Sequence, residues 1–333
     1  MLTSSTAEPE MTAEEFVMIR DFIHEKSGIF FAENKTYLLK NRLIKRMSDL
    51  EIKSYRDYFY HVKYDTSLVE FKELMNLITT NETSFFRNEP QLLSFSDEVL
   101  PLMVKTKKEG GGPKSIKIWS AGCSTGEEPY TLAMMIMEKL GNLSGWKVEV
   151  IANDISEQVL SQARKGEYSG ITLRNVKPTV LNRFFDKVGD SFRVKPEVKA
   201  LVKFSHINLN EPRQMSMHSG FDTIFCRNVM IYFSDEVKRQ IVRGYYNSLQ
   251  PGGYFYIGHS ETLHGISKAF KLVYFKNALV YQKEAVAAAS GSKPGSMSAS
   301  ATAGPLAGKP NAAGGARRAM DLLSKIKPMT VNR

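Results

Sequence analysis

The apolar positions of the first eighty residues recur at helical spacing. Phe16, Ile19 and Ile23 follow Thr12-Ala13-Glu14-Glu15, a capping box in which a hydroxyl and a carboxylate three residues apart satisfy backbone N–H groups reciprocally. Leu39, Leu43, Met47 and Leu50 form a second stripe. A third helix is predicted from near Ser54, and a fourth from a Ser67-to-Glu70 capping box, carrying Phe71, Leu74, Met75 and Ile78. After Ser115 the period changes. Short apolar runs at Ile116–Trp119, Val148–Ala152, Phe221–Cys226 and Tyr254–Ile257 read as strands. Between them Glu127–Leu140, Ser156–Lys165 and Asp235–Leu249 read as helices. That alternation predicts a mostly parallel sheet with helices on both faces. Leu272 to Tyr281 adds edge strands, with antiparallel pairing one option. Gly166 to His206 interrupts the alternation, and Phe192–Val194 and Leu201–Phe204 read there as strands of a small inserted β-subdomain. The expected organisation is a helical domain over 1–79, a linker and helix over 80–114, and an α/β domain over 115–284 with its insertion at 166–206. A tail over 285–333 completes it.

Composition adds less than its distribution does. A chain of 333 residues, 42% hydrophobic and 24% charged, has ordinary globular composition and room for two domains. The formal charge of +10 suggests an acidic partner, but it is unevenly spread. Residues 1–79 hold 11 basic and 13 acidic side chains, whereas 285–333 hold 7 and 1. In the tail, 25 of the 32 residues from Ala285 to Ala316 are Ala, Gly, Ser or Pro, so a disordered linker is expected there. Met320, Leu323 and Ile326 beyond it fit a frayed terminus or, alternatively, a short helix that docks a partner. Cys123 and Cys226 are too few for a disulfide framework, and no clustered ligands suggest a metal. Met1 to Phe16 is too polar for a secretory leader, and no apolar run reaches the ~20 residues of a membrane span, so a cytoplasmic location without membrane insertion is expected. No nucleic-acid-binding module is visible either.

The first strand runs into Ala121-Gly122-Cys123-Ser124-Thr125-Gly126-Glu127-Glu128-Pro129-Tyr130. Ligands of open α/β sheets sit at such strand ends, and glycine lets the backbone approach them. The spacing is neither GxGxxG nor a P-loop. Glu127 and Glu128 lie where a pyrophosphate would sit and would repel it, which disfavours NAD, FAD and ATP. S-Adenosylmethionine, a cation without phosphate, fits better, with Asp154 at the end of the second strand placed for ribose hydroxyls. Both glutamates could also serve as helix-dipole compensation, and Asp154 as an N-cap.

Four segments then carry a resemblance: Thr79-Thr80-Asn81-Glu82-Thr83-Ser84-Phe85-Phe86-Arg87, Trp119 to Tyr130, Asn153-Asp154-Ile155, and Phe221 to Phe233 with Cys226-Arg227-Asn228 inside it. Gly258-His259-Ser260-Glu261 is a fifth match. In this order they resemble the CheR-type chemotaxis receptor methyltransferases, over roughly residues 12 to 283. The resemblance implies an N-terminal all-helical domain joined to a Rossmann-like methyltransferase domain with an antiparallel β-subdomain. It implies S-adenosylmethionine as cofactor, S-adenosylhomocysteine as product, and methyl-ester formation on glutamates of chemoreceptor helices. The expected cofactor contacts are Asn81, Thr83, Arg87, Gly122, Glu128, Asp154, Asn208, Leu209, Arg227 and Asn228. Arg87, Arg227 and Tyr232 are expected where donor and acceptor meet. Arg42, Lys45 and Arg46 would dock the receptor helix, although such clusters also occur as plain solvated faces. Asp186 to Phe192 is a short connection, which argues against the peptide tether some members use. A monomer is expected. The competing readings are methylation of another acceptor, RNA or small molecule, and a non-catalytic cofactor-binding scaffold.

Overall fold

The computed structural model describes residues 9–141, 143 and 145–285, so the expected tail, with its terminal helix and any partner for it, lies outside the described residues. Helices α1 (Ala13–Ser27), α2 (Thr36–Asp49), α3 (Tyr55–Tyr64) and α4 (Val69–Ile78) come first. The α1 capping box forms as expected: Glu15 N–H donates to Thr12 Oγ1 at 3.2 Å, and Thr12 N–H to Glu15 Oε2 at 2.9 Å. Ser54 caps α3. The start of α4 differs from expectation. Leu68, at φ 59°, precedes the helix, and Asp65 Oδ2 accepts the Glu70 N–H at 2.8 Å in place of a capping box from Ser67. Glu70 instead turns inward, where Arg46 and the Tyr58 hydroxyl bind it at 2.5 and 2.9 Å. A nearly fully buried carboxylate needs such partners, and that demand outweighs one local cap.

A strap over residues 79–88 leads into α5 (Glu89–Ser94), a single π turn, and α6 (Leu100–Glu109). The α/β part then runs β1 (Ser115–Ala121), α7 (Glu127–Leu140), β2 (Lys147–Asp154), α8 (Glu157–Lys165), β3 (Glu167–Tyr168), α9 (Pro178–Phe184), β4 (Phe185–Val188) and β5 (Ser191–Val194). It continues through α10 (Pro196–Lys199), β6 (Val202–His206), α11 (Pro212–Ser216), β7 (Phe221–Cys226), α12 (Asp235–Ser248), β8 (Leu249–Ile257), β9 (Phe270–Tyr274) and β10 (Leu279–Lys283).

The main sheet has the order β6-β2-β1-β7-β8-β10-β9. Its first five strands are mutually parallel, and β10 and β9 close the edge antiparallel. The chain leaves β1 towards one edge through β2 and β6, then returns to the other side through β7. The switch point therefore lies between the carboxyl ends of β1 and β7, where open α/β sheets bind ligands. The small antiparallel sheet β3-β5-β4 forms as expected, with β4 and β5 joined by the two-residue turn Gly189–Asp190. Leu201–Phe204 is not part of it. Val202–His206 pairs parallel to β2 in the main sheet, Val150 opposite Val202. An apolar run of that length is compatible with either sheet, and only the partner strand decides.

Two apolar layers enclose the sheet. Trp119, Ile151, Ile224 and Phe255 face a core shared with α12 and with the stripes of α1 to α4, so the helical segment packs directly on the sheet. Ile116, Ile118, Val150 and Phe225 face the opposite layer with α5, α6, α7 and the small sheet. Successive β1 side chains thus serve opposite cores, as the two-residue period of a strand requires.

Candidate active site

A cleft of about 340 Å³ opens at the switch point. Its floor is the turn after β1. The N–H groups of Gly122 and Cys123 both donate to the Asn153 carbonyl, at 2.9 and 2.8 Å, which draws the ends of β1 and β2 together. Gly122 sits at φ 71°, and a Cβ there would collide with Val229 from the loop after β7. Only glycine keeps this cradle open. Asp154, 8% exposed, accepts the Ser124 N–H at 2.9 Å and the Ser156 N–H at 3.0 Å. Burial pushes its carboxyl above the usual range, against the pull of those backbone donors. Each oxygen retains capacity to accept from a ligand hydroxyl.

The strap forms the roof. Phe85 is fully buried, edge-on to Tyr168 and Phe185, and its N–H bonds the Thr172 carbonyl at 3.0 Å. Phe86 N–H donates to Thr131 Oγ1, and the Asn81 carbonyl accepts from Ser124 Oγ. From α2, Arg42 donates to the Ile78 carbonyl and, at 2.7 Å, to Thr80 Oγ1. The helical segment thereby holds the hinge from which the strap leaves.

Arg227 joins roof, wall and floor. Its Nε donates to Gln91 Oε1 at 2.9 Å, Nη2 to the Arg87 carbonyl at 2.6 Å, and Nη1 to Glu128 Oε2 at 3.1 Å. Its side chain is 4% exposed. Burial lowers its affinity for the proton and Glu128 restores part of it. Glu128 also accepts from Ser120 Oγ at 2.7 Å. Arg87 points differently: it is half-buried, donates to the Glu82 carbonyl at 2.9 Å, and makes no other side-chain hydrogen bond or ion pair among the described residues. The half-buried Tyr232 likewise keeps its hydroxyl without a hydrogen-bond partner among the described residues, at the cleft wall.

The structure brings together Asn81, Thr83, Arg87, Gly122, Glu128, Asp154, Asn208, Leu209, Arg227, Asn228 and Tyr232, all lining this one cleft. Asn208 does so while its amide is occupied, donating to the Lys26 carbonyl at 2.7 Å and accepting from Asn210 N–H. Arg42, Lys45 and Arg46 lie outside it on α2; Lys45 is exposed, whereas Arg42 and Arg46 serve the hinge and Glu70. Sequence reasoning assigned no role to Gln91, which grips Arg227 and donates to the Ile257 carbonyl at 2.7 Å. It gave none to Glu261 either, although the Gly258–Glu261 segment drew notice. Neither contact with the site carries a local signal, because Arg227 lies 136 residues from Gln91 and Asn228 33 residues from Glu261 in the chain. Glu127 is fully buried against Thr125 and does not line the cleft, so of the two glutamates only Glu128 faces the ligand space.

The family model "CheR methyltransferase, all-alpha domain" matches residues 14–79, and "CheR methyltransferase, SAM binding domain" matches residues 81–279. The chain belongs to the CheR methyltransferase family. It is 35% identical to chemotaxis protein methyltransferase 2 of Vibrio cholerae, over 82% of this chain and 94% of that one. It is 35% identical to chemotaxis protein methyltransferase 1 of Pseudomonas aeruginosa, over 80% and 97%. For the chemotaxis protein methyltransferase of Escherichia coli the figures are 33% identity, 82% and 92%. The protein is thus an S-adenosylmethionine-dependent methyltransferase of chemotaxis. The cleft suits that cofactor in offering a backbone cradle only glycine permits and two carboxylates, Asp154 and Glu128, among its lining residues. Among the described residues no cluster of metal-ligating side chains occurs and no helix is long and apolar enough to cross a membrane.

Proposed function

We propose that this methyltransferase esterifies glutamate side chains on the helices of chemoreceptors, with the strap, the β1 turn and the loop after β7 as its working parts. The observation that carries the reading is the convergence of all three on one cleft, with Tyr232 and Arg87 holding free donors at its wall. Asp154 would hold the ribose hydroxyls, Glu128 the amino group of the methionine end, and Asn208 and Leu209 would border the adenine. Asn81 and Thr83 would close over the cofactor from the strap. When bound, S-adenosylmethionine supplies a methyl group on a sulfonium, which an acceptor oxygen takes by in-line displacement to leave S-adenosylhomocysteine and a methyl ester.

An acceptor carboxylate with a pKa of about 4.3 is ionised at neutral pH, so the chain needs no general base. Its residues have to align the acceptor and exclude water. Tyr232 supplies one hydrogen bond to a carboxylate oxygen and Arg87 a positioning contact at the cleft mouth. Arg227 is assigned to holding the cleft together. Its three bonds, to Gln91, Glu128 and the Arg87 carbonyl, make it the clamp that sets strap against floor, so it positions Arg87 and Glu128 and leaves the acceptor to others.

Receptor docking on α2 is read as resting on exposed Lys45, with Arg42 and Arg46 partly committed inside. The cytoplasmic part of a receptor is the matching partner, and a monomer suffices because the described residues form the whole cleft. Incubating the full chain and labelled S-adenosylmethionine with receptor-rich membranes, with and without RNA, tests the reading. Alkali-labile label in a receptor band is expected, and Tyr232→Phe should lower turnover roughly tenfold with little change in cofactor affinity. Label in RNA would favour another acceptor; binding without any transfer would favour a scaffold.

A further inference from the structure

We propose that Glu261 is a positioning residue for methyl transfer, holding the loop that carries Asn228 and Tyr232 in its working conformation. The inference rests on the reading that this loop meets the acceptor. After β8 the chain makes a tight turn closed by the Glu261 N–H and the Gly258 carbonyl at 2.9 Å, which brings the Glu261 side chain back over the strand end. There one carboxylate collects three backbone donors from two chain segments. Oε2 accepts from Asn228 N–H at 2.9 Å and Gly258 N–H at 2.5 Å, and Oε1 from Ile231 N–H at 3.2 Å.

The loop needs such a hold. Asn228 sits at φ 60°, in the left-handed region, which asparagine enters more readily than other non-glycine residues but still at some cost, and a fixed partner for its N–H offsets that cost. Bonds from backbone N–H groups to an ionised carboxylate are about twice as strong as neutral ones, so Glu261 is well suited to be that partner. The site is also built around this contact: a Cβ on Gly258 would lie 2.6 Å from Glu261 Oε2 and 3.0 Å from the Asn228 nitrogen. Glu261 does not line the reaction cleft, so it acts through Asn228 and Ile231, on the segment that ends in Tyr232. Three donors spread its charge, which limits its repulsion of an anionic acceptor.

The test compares Glu261→Ala and Glu261→Gln with the wild type in the full chain, using receptor-rich membranes as acceptor. Glutamine keeps one carbonyl oxygen for Asn228 and Gly258 but turns an NH₂ towards the Ile231 N–H. The expected result is a kcat lowered roughly tenfold or more in the alanine variant and by less in the glutamine variant, with KM for receptor within about twofold of wild type and a loss of calorimetric affinity for S-adenosylmethionine, through Asn228, several-fold smaller than the loss in kcat. A merely structural role would instead lower cofactor affinity and kcat by the same factor, together with the melting temperature, and that pattern overturns the proposal, as does wild-type kcat in Glu261→Ala. If the alanine variant does not fold, the glutamine variant decides by the same split. A wild type that forms no ester on the membranes would strike the receptor reading, whereas variants indistinguishable from an active wild type strike this one.

Discussion

At the residue scale, the cleft separates side chains that are free to bind from side chains already committed. Asp154 belongs to the first group: two backbone donors fix its orientation and leave acceptor capacity facing the ligand space. Asp154→Ala should therefore weaken S-adenosylmethionine binding by about 1.5–3 kcal/mol, the range for a hydrogen bond to a charged group, read by calorimetry on the purified chain. Affinity within twofold of wild type would remove Asp154 from the cofactor site. The segment containing Asp154 was legible in the sequence because strand, turn and acid lie within a few residues of each other. Gln91 and Glu261 were not legible, since the contact that ties each of them to the site comes from a segment that folding brings from far along the chain. For Arg227 the position after a strand was readable, whereas its near-complete burial and its bonds to Gln91, Glu128 and the Arg87 carbonyl were not.

At the element scale, α2 links two functions that sequence alone keeps apart. The basic cluster Arg42, Lys45 and Arg46 reads as one face, yet Arg46 satisfies the buried Glu70 and Arg42 fastens the hinge at Ile78 and Thr80. Periodicity assigns residues to a face but is blind to what packs against it, and the same blindness explains the Ser67 cap and the Leu201–Phe204 strand. Arg42→Ala should release the strap, which starts at that hinge. We expect S-adenosylmethionine affinity to fall a few-fold, about 1 kcal/mol for the lost hydrogen bonds, although Arg42 lies outside the cleft. Lys45→Ala should leave that affinity unchanged and reduce receptor methylation only. Equal behaviour of the two variants in calorimetry would show that Arg42 does not act through the hinge.

At the scale of the whole molecule, a mostly parallel sheet with helices on both faces was legible from alternating strands and helices, and with it a ligand site at the strand ends; the strand order, the pairing of β6 and the balance of buried charge were not. Glu127 carries that balance most clearly. It is fully buried, its Oε2 accepts from Thr125 Oγ1 at 2.7 Å, and its Oε1 has no partner among the described residues. Burial consequently pushes its carboxyl above the usual range. The folded chain then holds a proton on Glu127 to higher pH than the unfolded chain does, so stability falls as pH rises from the unfolded value through the folded one, and levels off beyond it. Glu127→Gln removes this titration and leaves the rest of the molecule's pH response, including that of Asp154, common to both proteins. The amide it introduces adds a constant offset independent of pH. The difference in unfolding free energy, variant minus wild type, should therefore shift in favour of the variant as pH rises from about 4 towards neutrality and then stay flat. Urea unfolding of both proteins across that range measures it. A pH-independent difference would mean that Glu127 is not held above its ordinary value, and a shift towards the wild type would mean that its charge is stabilised inside the fold by a partner the static geometry does not reveal.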